Sequence, residues 1–216
     1  MSYPRYTGGA SNQTLFALLP MLEYKKLVYI EPMRAGAYLW SSEDEAVTFG
    51  IAARLRFGFQ ARDGSRLTGM HTRRNAIEGG LSAAWSPSEW TFSTEYFTDG
   101  SDTNDGRSFR FSIFHQLLDS EHWDMGAYVD LDRIDKNITN YYFGVQPDEA
   151  TATRPSYQPG ATTNSSLGFS GAYRLNKTYA LLFGGEMDIL GAAAAKSPIV
   201  QRRASFITYF GLGLVF

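Results

Sequence analysis

The chain contains no cysteine, so disulfide cross-links and thiolate metal sites are both excluded. It also lacks any apolar run approaching roughly 18 residues. That excludes a membrane-spanning helix but not a β-barrel, whose strands turn only alternate residues to lipid. An excess of either charge sign is missing too. With 20 Lys and Arg against 22 Asp and Glu, the net charge of −2 is too balanced for a nucleic-acid partner. Histidine is scarce: His71 falls in a long loop, His115 on an apolar register and His122 in a short turn. No nucleophile and base converge around them, so the chain is read as a non-enzyme. No pair of histidines or carboxylates has helical metal-ligand spacing, and no cofactor is expected. The opening Met1-Ser2-Tyr3-Pro4-Arg5-Tyr6 has neither the basic nor the apolar stretch of a secretory signal. The expectation is a single domain over residues 1–216, without its signal peptide.

What the chain does have is alternation. Tyr, Phe and Trp make up 15% of it and glycine contributes 21 residues, a composition suited to strands. The last segment places Phe206, Thr208, Phe210, Leu212, Leu214 and Phe216 on one face, with two glycines among the residues between, and it closes on an aromatic as transmembrane barrels tend to. Read at period two, the sequence predicts ten strands over 13–24, 27–41, 46–59, 76–86, 89–98, 107–118, 123–134, 163–175, 178–190 and 203–216. The third alternates Val47, Phe49, Ile51, Ala53, Leu55, Phe57 and Phe59 with small or charged residues, and the fifth alternates Trp90, Phe92, Thr94 and Tyr96 with Thr91, Ser93 and Glu95. The first two strands are poorer, and Pro20 and Pro32 mark bulges or edges there. The fold expected is all-β: a transmembrane antiparallel up-and-down barrel of about ten strands, ten to twelve.

Connections alternate between short (42–45, 87–88, 119–122, 176–177) and long (60–75, 99–106, 135–162, 191–202), the asymmetry of periplasmic turns and extracellular loops. Lys25-Lys26 is the exception, short where a long loop is due. All four tryptophans, Trp40, Trp85, Trp90 and Trp123, fall beside short turns, as a periplasmic aromatic girdle would. A soluble lipocalin-type barrel also alternates, but with its apolar face turned inward. Here the opposite face mixes glycines with charges, which suits a crowded polar lumen.

Facing that lumen by register are Arg54, Arg56, Glu78, Glu95, Arg110, Asp124, Asp130, Asp132, Arg174, Glu186 and Asp188. They either line a narrow polar pore or pair across a small barrel and plug it, since charges out of water need partners. The run Asp99 to Gly106 looks like a calcium loop but lacks the closing glutamate, which leaves a solvated hairpin tip. Arg62, Arg66, His71, Arg73 and Arg74 form a basic cluster, either a contact for lipopolysaccharide phosphates or a solvated loop. Tyr141, Tyr142 and Phe143, in the longest loop, form either a recognition patch or an inward-folded lid.

Several segments resemble the MipA/OmpV family of outer-membrane proteins. They are Asn140-Tyr141-Tyr142-Phe143-Gly144-Val145 with Asp148-Glu149-Ala150 and Tyr157; Leu167-Gly168-Phe169-Ser170-Gly171-Ala172-Tyr173-Arg174-Leu175; Ser197-Pro198-Ile199-Val200; and, near the start, Tyr3-Pro4-Arg5-Tyr6-Thr7-Gly8-Gly9 with Leu19-Pro20-Met21-Leu22. The likeness runs over nearly the whole chain in the right order. It departs at Gly191-Ala192-Ala193-Ala194-Ala195-Lys196, where relatives tend to carry acidic residues. Set beside the family, the expectation is a chain without the N-terminal strand that relatives place before the opening tyrosine-containing loop. What the resemblance implies is a location in the outer membrane of a Gram-negative-type cell, in contact with outer-membrane lipid and lipopolysaccharide. It also implies a scaffold role, bringing a murein synthase and a lytic transglycosylase together. The alternative is a narrow channel or surface adhesin.

Overall fold

The alternating segments pair with their neighbours along most of their length in the structure, a computed structural model that describes residues 1–14, 22–24, 27–31 and 33–214. The strands are β1 (Ser2–Pro4), β2 (Asn12–Thr14), β3 (Leu22–Tyr24), β4 (Val28–Glu31), β5 (Arg34–Ser41), β6 (Val47–Arg56), β7 (Ala76–Trp85), β8 (Trp90–Asp99), β9 (Arg107–Asp119), β10 (Trp123–Ile134), β11 (Thr162–Arg174), β12 (Tyr179–Ile189) and β13 (Ala204–Leu214). Two short helices, α1 (Lys136–Phe143) and α2 (Ala192–Ala195), lie in the connections. All pairings are antiparallel, in the order β2-β1-β13-β12-β11-β10-β9-β8-β7-β6-β5-β4-β3. The order begins on β2 and ends on β3, which follow each other in the chain. Counted as passes of the chain it is a 12-strand up-and-down sheet. It belongs to the barrel class expected, with two more passes than the ten read from the sequence.

The difference arises at the N-terminal end. The segment read as one strand over 27–41 is a hairpin: Glu31 pairs with Arg34, Val28 with Ala37, and Met33 takes the left-handed conformation (φ 70°) that so tight a reversal requires. A further strand, β1, was not expected; it pairs through Ser2 with Thr208 of β13. The extra reversal also explains the short connection after Tyr24. Leu27 N–H donates to Tyr24 O at 2.9 Å, and with β4 running back from that point the turn belongs to the short-turn end. Lys25, Lys26, Pro20, Pro32 and Phe216 lie outside the described residues. The other eight strands start and stop within three residues of the expected bounds, because a strand ends where alternation stops.

Burial gives the two faces of the sheet their sense. Large apolar residues on the expected lipid register are exposed: Phe210 at 71%, Leu81 at 64%, Phe206 at 63%. The opposite register holds Phe97 at 0%, Glu78 at 1% and Glu95 at 3%. A soluble barrel would have these reversed. A continuous apolar belt of this kind is far larger than water tolerates, whereas in lipid each large side chain gains roughly 1.5–3 kcal/mol. Inward tyrosines lie flat against the wall where the facing residue is glycine. A Cβ at Gly168 would strike the Tyr128 ring, and one at Gly184 the Tyr209 ring.

Candidate functional site

The inner face of β6 to β10 holds a ladder of arginines and carboxylates. Arg54 Nε lies 2.6 Å from Glu78 Oε2 and Arg56 Nε 2.6 Å from Glu78 Oε1, so one buried carboxylate holds two guanidinium groups. Both arginines reach across to Asp132 of β10, at 3.3 and 3.5 Å. Arg54 also donates to Ser108 Oγ (2.7 Å) and sits 4.4 Å above the Phe97 ring. Arg110 pairs with Asp130, and Arg34 with Glu95. Arg34 is absent from the sequence-based set, because its strand was read as a continuous pass with no clear register. The remaining candidates lie apart from this ladder. Glu186 accepts from Tyr128 Oη (2.6 Å) and Asp188 from Ser166 Oγ (2.6 Å), with no arginine or lysine in salt-bridge range among the described residues. Arg174 and Asp124 are 3.6 Å apart near the short turns, where both are more open to solvent.

Beside Asp188 is a cavity of about 400 Å³, between Tyr3 and Ile207 on one side and Met33, Leu55 and Phe57 on the other.

The long connections converge at one end into a cap with its own apolar core. One cluster joins Tyr6, Phe59, Leu67, Met70, Val145 and Ile199; a second joins Ile134, Ile138, Tyr142, Phe143, Leu190 and Ala194. Helix α1 starts because the Asp135 carboxylate accepts from the N–H groups of Asn137 and Ile138, a cap visible in the sequence only as an acid before a polar run. Tyr142 and Phe143 are 6% and 4% exposed, so they are part of this core and not a surface recognition patch; Tyr141 is half-buried and its carbonyl accepts from Arg73 Nε. The basic cluster is likewise divided. Arg73 is buried on Glu149 (2.7 Å), while Arg62, Arg66, His71 and Arg74 remain exposed.

Glu149 and Arg154 tie the cap together, and sequence reasoning missed both roles. Glu149 accepts from the N–H groups of His71 and Gln146, each at 2.9 Å, besides Arg73. Burial pushes its carboxyl up, but these bonds and the Arg73 charge outweigh that and hold it below the usual glutamate range. Arg154 donates to the carbonyls of Glu149, Arg66 and Thr68, joining the loop after β6 to the loop after α1. Ser197 Oγ to Phe143 O and Tyr6 Oη to Ile199 O add the other two connections. Burial also pushes the Tyr142 hydroxyl up to about 12. The Asp99 tip is closed by its own carboxylate, which accepts from the N–H groups of Ser101, Thr103, Asn104 and Asp105. It is a hairpin tip, with its acceptor capacity used by the backbone.

At the opposite end the four tryptophans point outward: Trp40 packs on Phe49 (5.6 Å), Trp85 on Phe92 (5.5 Å), Trp90 on His115 (4.1 Å) and Trp123 on Tyr173 (4.7 Å). Beyond them the exposed turns carry Glu43, Asp44, Glu89, Asp119 and Glu121.

A family model described as "MltA-interacting protein MipA" matches residues 1–216. The chain belongs to the MipA family. Among curated proteins, this MipA-family chain is 31% identical over 133 residues to outer membrane protein Omp26La of Vibrio anguillarum and 30% identical over 133 residues to outer membrane protein OmpV of Vibrio cholerae serotype O1. Each match covers 62% of this chain and 51% of the relative, so the chain spans about half the length of the curated relatives it matches. No solved structure matches. Family, relatives and the outward apolar belt agree on one location: this MipA-family chain is an outer-membrane protein.

Proposed function

We propose that the chain is an outer-membrane scaffold that holds a murein synthase and a lytic transglycosylase at the envelope. The observation that supports this reading most is the charge ladder that fills the interior beside β6 to β10. The ladder from Arg54 to Asp132 crosses the barrel, and the cap folds over its long-loop end. On this reading the paired charges of the ladder, Arg34, Arg54, Arg56, Glu78, Glu95, Arg110, Asp130 and Asp132, are a plug, and the working surface lies outside the lumen. The family description, which names an MltA-interacting protein, supplies the partner class. The exposed acids of the short turns, Glu43, Asp44, Glu89, Asp119 and Glu121, offer a surface for a partner with a basic patch.

The test is retention. The chain, refolded in detergent, is immobilised and challenged with a murein synthase and a lytic transglycosylase from the same envelope, with an unrelated barrel as control. Specific retention of both, weakened by changes at Ser120 and Glu121, is the expected result. Retention of neither by a barrel shown to be folded overturns the scaffold and leaves a narrow channel or surface adhesin. Conductance steps that change on charge reversal at Arg54 and Arg56 would then identify the channel.

A further inference from the structure

From Trp123 to Arg133, β10 advances by ten residue-to-residue steps. At about 3.3 Å per residue and a tilt of about 40°, that is roughly 25 Å of height, the thickness of an outer-membrane apolar band. With Trp123 in the girdle at one interface, Arg133 stands at the other. It shares the outward register of Val129 and Leu131, both exposed.

At that level Arg133, Thr163 and Lys196 line an outward groove of about 520 Å³. Arg133 is the register partner of Thr163 and donates to its hydroxyl at 3.4 Å. The Tyr157 hydroxyl, also at the groove, is used on the Ala193 carbonyl (2.8 Å). Among the described residues no carboxylate lies within salt-bridge distance of Arg133 or Lys196, and both side chains are exposed. Below the groove the outward surface continues through Leu131, Val129, Leu167 and Phe169, all exposed.

Two cations without counter-ions, set at headgroup height above an apolar strip, fit an amphiphile with a multiply charged anionic head. A guanidinium fork and an ammonium together suit the oxygens of one phosphate. The long-loop side of such a barrel faces the outer leaflet. We propose that this groove binds a phosphate of the outer-leaflet glycolipid, lipid A, with the acyl chains lying along Leu131, Val129, Leu167 and Phe169. The site depends on the membrane location alone and is independent of the scaffold reading.

The experiment is native mass spectrometry of the full chain refolded in detergent and titrated separately with bisphosphoryl lipid A, its dephosphorylated form and cardiolipin. The expected result is one lipid A retained per chain. Affinity should fall at least tenfold on dephosphorylation and at least tenfold in Arg133→Gln/Lys196→Gln, with Arg133→Lys restoring part of it and Arg62→Gln/Arg66→Gln leaving it unchanged. Heat-modifiable gel mobility and a β-type circular dichroism spectrum confirm that each variant is folded; these two side chains are exposed, so folding is expected to be unaffected. Equal binding by the Arg133/Lys196 double variant, or by dephosphorylated lipid A, overturns the site. Cardiolipin binding as tightly as lipid A overturns the glycolipid assignment.

Discussion

The barrel wall and the loop cap solve the same problem in opposite ways. In the wall, Phe206, Phe210 and Leu81 face outward and Glu78 is buried; in the cap, Leu67, Ile138 and Phe143 are buried and Arg62 and Arg66 are exposed. The difference is the solvent. Lipid takes the apolar side chains of the wall and leaves its interior to charges that neutralise one another, whereas water around the cap drives its apolar side chains together. The cap still borrows one device from the wall: Arg73 on Glu149 is a buried ion pair of the same kind as Arg54 on Glu78. One chain therefore carries a membrane-protein core and a small water-soluble core, joined where the strands emerge.

The comparison can be broken most severely inside the wall. Glu78→Ala leaves the buried Arg54 and Arg56 sharing Asp132 alone and is expected to cost about 3–5 kcal/mol, read from urea unfolding in lipid vesicles. Replacing Glu78, Arg54, Arg56 and Asp132 together with apolar residues of similar size should recover much of that loss, because no orphaned charge remains. In the cap, Phe143→Ala should cost about 3 kcal/mol. That loss should be local, with proteolysis reaching 135–161 while the strands stay protected.

Acid should separate the two regions further. The Glu149 carboxyl is held below its ordinary value, so its contribution to the cap is complete above the unfolded value of about 4.3 and is lost as pH falls below it through the lower folded value. Protease resistance of the cap should therefore drop at acid pH, and Glu149→Gln should remove that dependence; a cap equally resistant at all pH values would contradict the assignment. The smallest effect is expected at the short-turn end. Arg174→Ala breaks partly exposed pairs with Asp124 and Asp119 and a solvent-facing bond to the Ser120 carbonyl, and should cost roughly 0–1 kcal/mol in the same unfolding assay.

How far each region could be read from the sequence follows from its periodicity. The wall announces itself, since each strand needs alternate residues for two different environments. The pattern in Val47–Arg56 or Trp123–Ile134 leaves little freedom in placing the strand or its faces. The β4–β5 hairpin escaped because the reversal at Met33 interrupts only a poor alternation, and Arg34 was lost to the ladder with it. The cap carries no repeat at all. Tyr142 and Phe143 read equally well as patch or lid, and nothing in the order of residues signals that Arg154 would reach the carbonyls of Arg66 and Thr68, nearly ninety positions away.

The sequence by itself determined the class of fold, the outward belt, the tryptophan rim and the inward position of the paired charges, because strand geometry converts period two directly into two faces. Only the tertiary structure decided which charges meet, that the aromatics of the longest loop are buried, and that Arg133 and Lys196 share a groove. Those are contacts between segments far apart in the chain, set by the closure of the sheet and the convergence of its loops, and no local pattern encodes them.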